Sequence, residues 1–542
     1  MSENNKPPQD VVGGGQEAAG YRKFTIVNPG SQEESSPLDW WDQMANAGSA
    51  PTPEPEAATA APAPEPIEEP RAPSPELPVK CEPPVTELLA DRAIHLQKVA
   101  ALQIRPDRPP TQNGLALAIG DAFSRRIGYV YQIAMWRLWD GRRWPDDHKG
   151  QMVQVAQMTL EALATDNPHH KRSAFASLER APAINGALSL AATDPRLVMD
   201  AAIFDADPTI LNTPGGIVNI KALSIGPHRA DAFCTHLAGA TPDFEADAPV
   251  YERFMLSISD DRPELAAWLE ALIGYALLGV KNLQIFVFLV GSGGNGKSVL
   301  LALILAIFGS YACTVSADVL LDHQNSSRGG PAPELLDLIG RRFVCASETD
   351  EGARLNLGRI KAISGGDQIV CRAMRSNIMH KFVAQFLLVL ATNAPPRIGR
   401  VDNATKRRFR MMPFDRVFEG PERDDNILTK LLEEKEAILG RWVKAAHAVL
   451  KSGQLPPCKI IDQTGGDFLT EEDPITRWIG ECAVLEPGAT TPAGDLYRSF
   501  TAWQEREGTK TWSMHAFGRS LTEHGCAARK MGIVYREGLR LL

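Results

Sequence analysis

One stretch of the chain changes abruptly from apolar to glycine-rich and back to apolar. The run LQIFVFLV at 283–290 is apolar except for Gln284, and its length predicts a buried strand. Eight loop residues follow, and residues 299–305 are then all apolar, as expected of a buried helix. The pattern therefore predicts a strand, a glycine loop and a helix in direct succession.

The pattern before this stretch is mostly helical. Residues 85–180 have a helical period, although Asp140-Gly141, between alternating aromatic residues, predicts a hairpin turn. Residues 200–250 are rich in strand and turn signals, and residues 251–280 return to a helical period.

The pattern from residue 281 onward predicts an α/β protein. Residues 281–416 alternate strands with helices, which is typical of a parallel sheet. Three short helical segments follow residue 465, and residues 527–541 alternate like a terminal hairpin.

The first 80 residues differ in composition from the rest. Ten of the thirty residues at 51–80 are proline, so this segment is predicted to be a stiff, disordered linker. Residues 1–80 hold 13 acidic and 5 basic side chains, which leaves 53 acidic and 52 basic in the remainder. The acidity therefore lies in the tail, and the body is free to carry basic surfaces. The apolar island PLDWWDQM at 37–44 is either a stray cluster or a motif, centred on Trp40-Trp41, that folds on a replication partner.

The spacing of the cysteines and the length of the apolar runs indicate the compartment in which the protein works. The eight cysteines include no close pair, so neither a zinc site nor a disulfide framework is predicted. The longest apolar stretch, 299–308, is too short to span a bilayer, and the N-terminus lacks the pattern of a secretion signal. We therefore expect a cytoplasmic protein without a membrane partner.

The loop at 291–298 has the pattern of a phosphate-binding P-loop. Its glycines let backbone N–H groups turn toward a polyphosphate, and the helix start adds its positive dipole end. Lys297 is placed to reach the β- and γ-phosphates, and Ser298 to ligate Mg²⁺. A chance glycine-rich loop is the alternative, but both flanks favour a site for ATP and Mg²⁺. The predicted binding residues are Gly291, Ser292, Gly293, Gly294, Asn295, Gly296, Lys297 and Ser298.

Polar residues at two later strand ends are candidates for catalysis. The apolar strand at 342–346 ends in SETDE, where Glu348 is the candidate base for the attacking water and Asp350 a weaker second acid. An exposed acidic turn is the alternative. The next apolar strand ends at Asn393, whose amide could sense the γ-phosphate.

Two basic stretches are candidates for contacts with phosphates. The run DNATKRRFR at 402–410 is either a solvated face or, in a ring ATPase, the source of an arginine, Arg407 or Arg408, that reaches the neighbouring subunit's nucleotide. Residues 368–401 contain no Asp or Glu, and residues 372–382 within them predict a hairpin that could contact a nucleic-acid backbone. The predicted DNA contacts are Arg372, Arg375, His380 and Lys381.

The combination of these motifs resembles the superfamily 3 helicase core of the phage/plasmid-type primase–helicases. Beyond the loop, the resemblance rests on residues 346–349, 361–367 with Arg372, 391–396, and 407–409 with 413–414. Segments at 136–141, 204–219 and 274–279 resemble the helical domain that precedes this family's ATPase, so the resemblance covers about 110–420.

The resemblance implies an AAA+-type P-loop NTPase core in a homo-hexameric ring. It also implies ATP, Mg²⁺ and 3′-to-5′ translocation on single-stranded DNA during replication of a phage, prophage or plasmid-like element in a bacterial host cell. By position, the Walker A pair is Lys297 and Ser298, the catalytic and metal-holding acid is Glu348, sensor 1 is Asn393, the pore contact is Lys381, and the finger candidates are Arg407 and Arg408.

The resemblance also implies a division into four parts. These are a disordered acidic tail and linker at 1–84, a mostly helical domain at 85–270, the ATPase core at 271–455 and a winged-helix-like domain at 465–542. For the last domain, DNA docking through 514–523 and Arg529-Lys530 and a plain packing role both remain open.

Two features depart from the family pattern. Many relatives carry two consecutive acids at the end of the Walker B strand, but here the first position is Ser347, which leaves the separate metal acid in doubt. Larger members join a primase to the N-terminus, where this chain has its tail. Asp205 and Asp207 resemble a polymerase metal pair only superficially, because no third acid or histidine accompanies them.

The leading hypothesis is therefore an ATP-dependent DNA helicase. One alternative is an ATP-regulated replication initiator or loader that binds DNA with little unwinding, and another is a primase–helicase with residual priming activity. An ATPase that works on protein is disfavoured by the acid-free stretch at 368–401.

Overall fold

The computed structural model describes residues 102–165, 167–280, 282–321, 333–347, 355–372, 379–394, 398, 401–509 and 511–542. Several predicted features lie outside these ranges. They are the tail at 1–84 with its Trp40-Trp41 island, Glu348, Asp350, Arg375 and the middle of the predicted hairpin at 373–378.

The first described region is a three-helix cluster with a small sheet. The helices are α1 (Gln112–Phe123), α2 (Gln151–Ala164) and α3 (Ala181–Ala191). Their apolar faces, together with Ile127 and Leu138, form one buried cluster. The strands β1 (Ile127–Val130) and β2 (Met135–Leu138) form an antiparallel hairpin, and β3 (Val198–Met199) pairs parallel to β1.

The predicted turn at Asp140-Gly141 is confirmed. The backbone N–H of Asp140 donates to the carbonyl of Arg143 at 3.0 Å, and Gly141 has a φ of 94°, which favours glycine. After this turn the chain runs back beside β2, with an antiparallel bridge between Arg137 and Asp146.

The predicted mixture of strands and helices at 200–280 is also confirmed. An antiparallel meander of β4 (Ile210–Thr213), β5 (Gly216–Asn219) and β6 (Ser224–Gly226) precedes α4 (Pro249–Ile258) and α5 (Pro263–Leu278).

A parallel five-stranded sheet follows, as the alternation at 281–416 predicts. The strands pair in the order β13-β7-β12-β9-β8, and every pairing is parallel. Strands β7, β9 and β12 are almost wholly buried, which explains their mostly apolar sequences. The elements are β7 (Phe286–Val290), α6 (Lys297–Phe308), β8 (Ala312–Ser316), β9 (Phe343–Ser347), α7 (Leu357–Gly365), β10 (Gln368–Cys371), β11 (His380–Val383), β12 (Leu387–Thr392), α8 (Asn403–Arg408) and β13 (Phe409–Pro413).

The C-terminal part contains the three short helices and the terminal hairpin that the pattern predicts. One further strand, β14, was not predicted; it pairs antiparallel with β16 on the side opposite β15. The elements are α9 (Ile427–Glu433), α10 (Lys435–Ser452), α11 (Lys459–Glu471), α12 (Pro474–Cys482), β14 (Ala483–Pro492), α13 (Ala493–Arg506), α14 (Met514–Glu523), β15 (Ala528–Met531) and β16 (Ile533–Leu541).

One hydrophobic cluster joins residues on both sides of position 270. It runs from Leu211 in β4 to Ile461 in α11 and includes the inward face of α6. Within it, the indole N–H of Trp442 donates to the hydroxyl of Tyr251 at 2.7 Å. Among the described helices, none combines the length and the apolar character needed to cross a membrane.

Candidate functional site

The glycine loop lies at the carboxyl edge of the parallel sheet. It connects β7 directly to α6, as predicted. The chain places β12, β9 and β8 on one side of β7 and β13 on the other, so β7 is where the strand order reverses. Open parallel sheets bind ligands outside the carboxyl ends of their strands at such a switch point. The loop therefore occupies the position where the fold favours a ligand.

The loop backbone leaves its N–H groups free. Gly293, Gly294 and Gly296 have φ values of 104°, 64° and 81°, which turn successive amides to one side. Among the described residues, no acceptor is found for the backbone N–H groups of residues 292–299. A row of unpaired amides at a helix N-terminus suits a phosphate.

Lys297 is held within the loop. Its ammonium donates to the carbonyl of Gly291 at 2.6 Å and to Oδ1 of Asn295 at 2.9 Å, and it lies 3.5 Å from Oδ1 of Asn393. The residue is buried, and burial lowers the pKa of its ammonium. Within the described part of the chain no carboxylate pairs with Lys297, and a cation in this position favours an anionic ligand.

Asn295 anchors the loop to the strand on the far side of β7. Its buried side chain donates to the carbonyl of Phe414 at 3.1 Å, directly after β13. A Cβ on Gly291 would lie 2.1 Å from that same amide nitrogen. The loop is therefore built around an internal asparagine, a role that the motif alone does not reveal.

Asn393 and the end of β9 lie at the same edge of the sheet as the loop. Thr392 pairs with Val290, so Asn393 follows β12 beside the start of the loop, and its side chain is exposed. Ser347, at the end of β9, pairs with Ala391, so the chain leaves the sheet there toward position 348. Ser298 is exposed at the first turn of α6.

These residues fit ATP and Mg²⁺ in part. The amides and Lys297 suit the phosphates, and the Ser298 hydroxyl is an oxygen ligand that would suit Mg²⁺. Glu348, the predicted acidic partner of the metal, lies outside the described residues.

Arg407 and Arg408 lie at the other end of the sheet. Phe409 pairs with Phe286, so both arginines precede the amino end of β13, whereas the loop follows the carboxyl end of β7. Four residue steps along β7 separate these ends by about 13 Å. Neither arginine can therefore reach the loop of its own chain.

The two arginines differ in their contacts. A guanidinium nitrogen of Arg408 donates to Oε1 of Gln284 at 2.9 Å, just before β7. Arg407 is exposed, and no partner for its side chain is found among the described residues. Of the two, Arg407 is free to contact another molecule.

An ion pair fixes the short helix that carries these arginines. Lys361 in α7 donates to both carboxylate oxygens of Asp402 at 2.7 Å, and Asp402 caps α8 through the N–H of Thr405. Although partial burial opposes it, the hydrogen bonds from Lys361 and Thr405 lower the pKa of Asp402 to about 2. The base of the finger candidates is thus held in one position.

The predicted basic hairpin is present, but its side chains point in different directions. β10 and β11 pair antiparallel, with Cys371 opposite His380 and Val370 opposite Lys381. Lys381 is exposed, whereas His380 faces the side of buried Cys371, and its buried Nδ1 has no hydrogen-bond partner among the described residues. Arg372 is half-buried and has other interactions. Of the described predicted contacts, only Lys381 is fully presented to solvent.

The motif analysis missed residues that bring the preceding helices to the loop. A Cβ on Gly296 would lie 2.6 Å from Cγ2 of Ile258, at the end of α4. The backbone N–H of Phe418 donates to the carbonyl of Gly294 at 2.8 Å. No local sequence signal marks these long-range contacts.

Asp205 and Asp207 are engaged in local structure. Asp205 accepts hydrogen bonds from the N–H and hydroxyl of Thr235, and Asp207 accepts from Thr209. Among the described residues, no group of three or more His, Cys, Asp or Glu side chains could hold a metal ion. Their arrangement gives no support to a polymerase-type site.

Comparisons with known proteins agree with the motif resemblance. Residues 116–260 match the family described as "D5 N terminal like". The chain is 25% identical over 237 residues to "Putative helicase 022R" of Frog virus 3, covering 41% of this chain and 24% of that protein. It is 26% identical over 269 residues to "Putative helicase L207/L206" of Acanthamoeba polyphaga mimivirus, covering 46% and 28%.

A third viral relative carries a different name. The chain is 24% identical over 216 residues to "Putative primase C962R" of African swine fever virus, covering 38% of this chain and 22% of that protein. The chain thus spans about a quarter of the length of these relatives.

Among solved structures, "The A form apo structure of NrS-1 C terminal region-CTR" is 13% identical. It covers 79% of this chain and 98% of its own, with a TM-score of 0.42. The resemblance to the phage-type primase–helicases is confirmed by the family match and the viral relatives.

Proposed function

We propose that this chain is an ATP-dependent motor that translocates on single-stranded DNA and unwinds duplex DNA during replication. Its sheet and glycine loop form a P-loop NTPase core of the AAA+ type, and its C-terminal helices and strands form a winged-helix-like domain. The viral relatives named as helicases and primases support a role in replication.

The observation that carries the proposal is the state of the loop. Among the described residues, a buried lysine has no carboxylate partner, and the backbone amides of the same loop have no acceptor, at the switch point of a parallel sheet. Charge-assisted hydrogen bonds from the ammonium and the amides to a polyphosphate would satisfy these donors together.

Each residue then has a distinct task. Lys297 moves from the carbonyl of Gly291 to the phosphates, and the amides of 293–298 hold the anion in place. Bound Mg²⁺ supplies charge neutralisation at the phosphates, and Ser298 and Glu348 are the side chains that would hold it. Glu348 accepts a proton from the attacking water, and Asn393 orients that water from the end of β12.

The arginine position supports a shared site in a ring. Because Arg407 lies about 13 Å or more along the sheet from its own loop, we propose that it completes the site of the neighbouring subunit. A homo-hexamer with 3′-to-5′ polarity is what the family resemblance adds to this geometry. Lys381, exposed on its hairpin, contacts the DNA backbone in the channel of the ring.

The test compares Lys297→Ala with Lys451→Ala, which removes an exposed lysine from the last turn of α10. Lys297→Ala should abolish ATP hydrolysis and unwinding of a forked duplex, while Lys451→Ala should leave both unchanged. Glu348→Gln should retain ATP binding but lose turnover by orders of magnitude, because only the activation of water is removed.

The outcomes separate the candidate functions. ATP hydrolysis at the parental rate in Lys297→Ala would contradict the assignment of the loop. ATP-dependent DNA binding by the parental protein without strand separation would instead identify an initiator or loader.

A further inference from the structure

Three aromatic side chains lie together on one face of the β1–β2 hairpin. Tyr129 is directly opposite Trp136 in the register, and Tyr131 follows two residues after Tyr129. The ring centroids of Tyr129 and Tyr131 are 4.8 Å apart with the planes at 87°, and those of Tyr129 and Trp136 are 5.0 Å apart at 61°. The rings therefore form one continuous aromatic cluster.

The cluster is open to solvent at Tyr131, whereas Trp136 also packs against the buried cluster of the three helices. Tyr131 is 50% exposed, Tyr129 and Trp136 are half-buried, and Val198, opposite Tyr129 on β3, is 40% exposed. Among the described residues, no hydrogen bond is made by the two tyrosine hydroxyls or the Trp136 indole. Aromatic residues with an apolar ring and an unused polar end are typical of binding surfaces.

The segment that carries the cluster contains more basic than acidic residues. Residues 125–149 contain six Lys or Arg and three Asp. Each Asp is already engaged: Asp140 with backbone N–H groups of its turn, Asp146 with Arg137, and Asp147 with the first N–H groups of α2.

The segment therefore keeps a net positive charge, although the exposed Asp200 follows β3 beside Tyr131. Arg125, Arg142 and Lys149 are exposed, and no side-chain partner is found for them among the described residues. Lys149 follows two residues after Asp147, whose backbone N–H donates to the carbonyl of Trp136 at 2.8 Å. Positive charge suits a polyanion, and aromatic rings beside it suit a polyanion that carries unpaired bases.

We propose that the β1–β2 hairpin is a base-stacking platform for single-stranded DNA, separate from the Lys381 hairpin. Unpaired bases stack on Tyr131 and at the edge of Trp136, and the phosphates run past Lys149. Duplex DNA does not fit, because its bases already stack on one another. Stacking on aromatic rings tolerates every base, so binding does not depend on sequence.

This inference rests on the proposed function in one respect, namely that the substrate is single-stranded DNA. The platform lies outside the parallel sheet, in the region that matches the family model at 116–260. It would hold the strand at a second point while the Lys381 hairpin moves along it.

The experiment measures binding of oligothymidylate and of an abasic oligonucleotide of equal length to the full chain, at several salt concentrations. Tyr131→Ala should bind oligothymidylate about 5- to 30-fold more weakly with an unchanged salt slope, because a stacking contact is lost without a charge. Lys149→Ala should instead reduce the log–log salt slope by about 0.7. The abasic strand should not distinguish Tyr131→Ala from the parental protein.

Three controls keep the test independent of folding and of the proposed function. Tyr131→Phe should retain parental affinity, and Leu190→Ala, which removes a 41% exposed side chain from α3, should have no effect. A halogenated thymidine analogue in the strand should photocrosslink within residues 129–136.

The outcomes are distinct. Parental affinity in Tyr131→Ala, with Lys381→Ala impaired, would overturn the platform and leave the proposed function standing. Binding of a proline-rich peptide at Tyr131 without any effect on DNA would assign the surface to a protein partner and also overturn it. Absence of single-stranded DNA binding in the parental protein would overturn both proposals.

Discussion

The pairing of Asp473 with His524 predicts a pH-dependent stability for the C-terminal part of the chain. Asp473 is almost wholly buried and caps α12, accepting from the N–H of Thr476 at 2.9 Å. Its carboxylate also lies 2.8 Å from Nε2 of His524, which follows α14. The two helices are therefore joined through one carboxylate.

The pKa directions of this pair determine the sign of the pH dependence. The hydrogen bond that His524 donates to Asp473 raises the pKa of His524, although burial and Lys406 oppose this. Burial alone would raise the pKa of the Asp473 carboxyl. The hydrogen bonds that it accepts from His524 and Thr476 outweigh burial and lower this pKa. The His524 contribution is therefore complete below its ordinary pKa and is lost as pH rises through the raised value. The Asp473 contribution is lost only as pH falls through its lowered value.

Substitutions at Asp473 and Ser513, the N-caps of α12 and α14, distinguish the energy of the ion pair from that of a helix cap. Loss of an N-cap costs about 1 kcal/mol, and loss of a half-buried ion pair costs about 1–2 kcal/mol after allowance for solvent screening. Asp473→Ala should therefore destabilise α12 by about 2–3 kcal/mol, and Asp473→Asn, which retains a cap, by about 1–2 kcal/mol. Ser513→Ala removes only the cap of α14 and should cost about 1 kcal/mol.

The assay is hydrogen exchange of the α12 and α14 segments in the full chain, corrected for intrinsic exchange at each pH. The difference between the parental protein and Asp473→Asn should be large at about pH 6 and small at about pH 9, because His524 has then lost its charge. Equal protection of the two proteins at both pH values would refute the reasoning. A penalty for Asp473→Ala no larger than that for Ser513→Ala would refute it as well.

Two further predictions concern the nucleotide site. Arg407→Ala should be inactive alone, but mixing it with Lys297→Ala should restore some ATP hydrolysis. In a mixed ring, one interface joins an intact loop to an intact arginine. Mixed rings that recover no hydrolysis would contradict the shared site. Gly296→Ala should lose nucleotide binding and about 1–3 kcal/mol of stability, because the φ of Gly296 is 81° and a Cβ would lie 2.6 Å from a side-chain carbon of α4. Gly294→Ala, where the nearest atom to an added Cβ is 3.4 Å away, should lose about 1 kcal/mol. Equal shifts of the two variants in thermal unfolding would argue against the clash.

Local patterns were enough to predict the elements around the loop. The apolar run before Gly291 and the apolar helix after Ser298 are short-range signals, and both are confirmed. The alternation of faces in a strand could also have separated His380 from Lys381, since adjacent residues point to opposite sides. Treating the two as one basic group overlooked that period.

Long-range pairing could not be predicted in the same way. That Phe409 lies beside Phe286, which places Arg407 far from its own loop, depends on the order of strands in the sheet. The contact of Gln284 with Arg408 joins positions 124 apart in sequence, and nothing local marks it. Such contacts follow from the topology, which a single sequence does not specify.

The hydrophobic cluster that runs from Leu211 to Ile461 limits where related genes can recombine and still encode a folded protein. If two related genes exchanged segments near codon 270, Trp442 would meet a foreign partner in place of Tyr251, and Ile258 would no longer match the loop at Gly296. Recombinants with that breakpoint would have to repair a mismatched core. Exchange between codons 469 and 475 would instead fall between the hydrophobic cluster of the parallel sheet and that of the C-terminal part, and would leave each cluster whole. Recombinant genes that encode a folded protein should therefore have their breakpoints there.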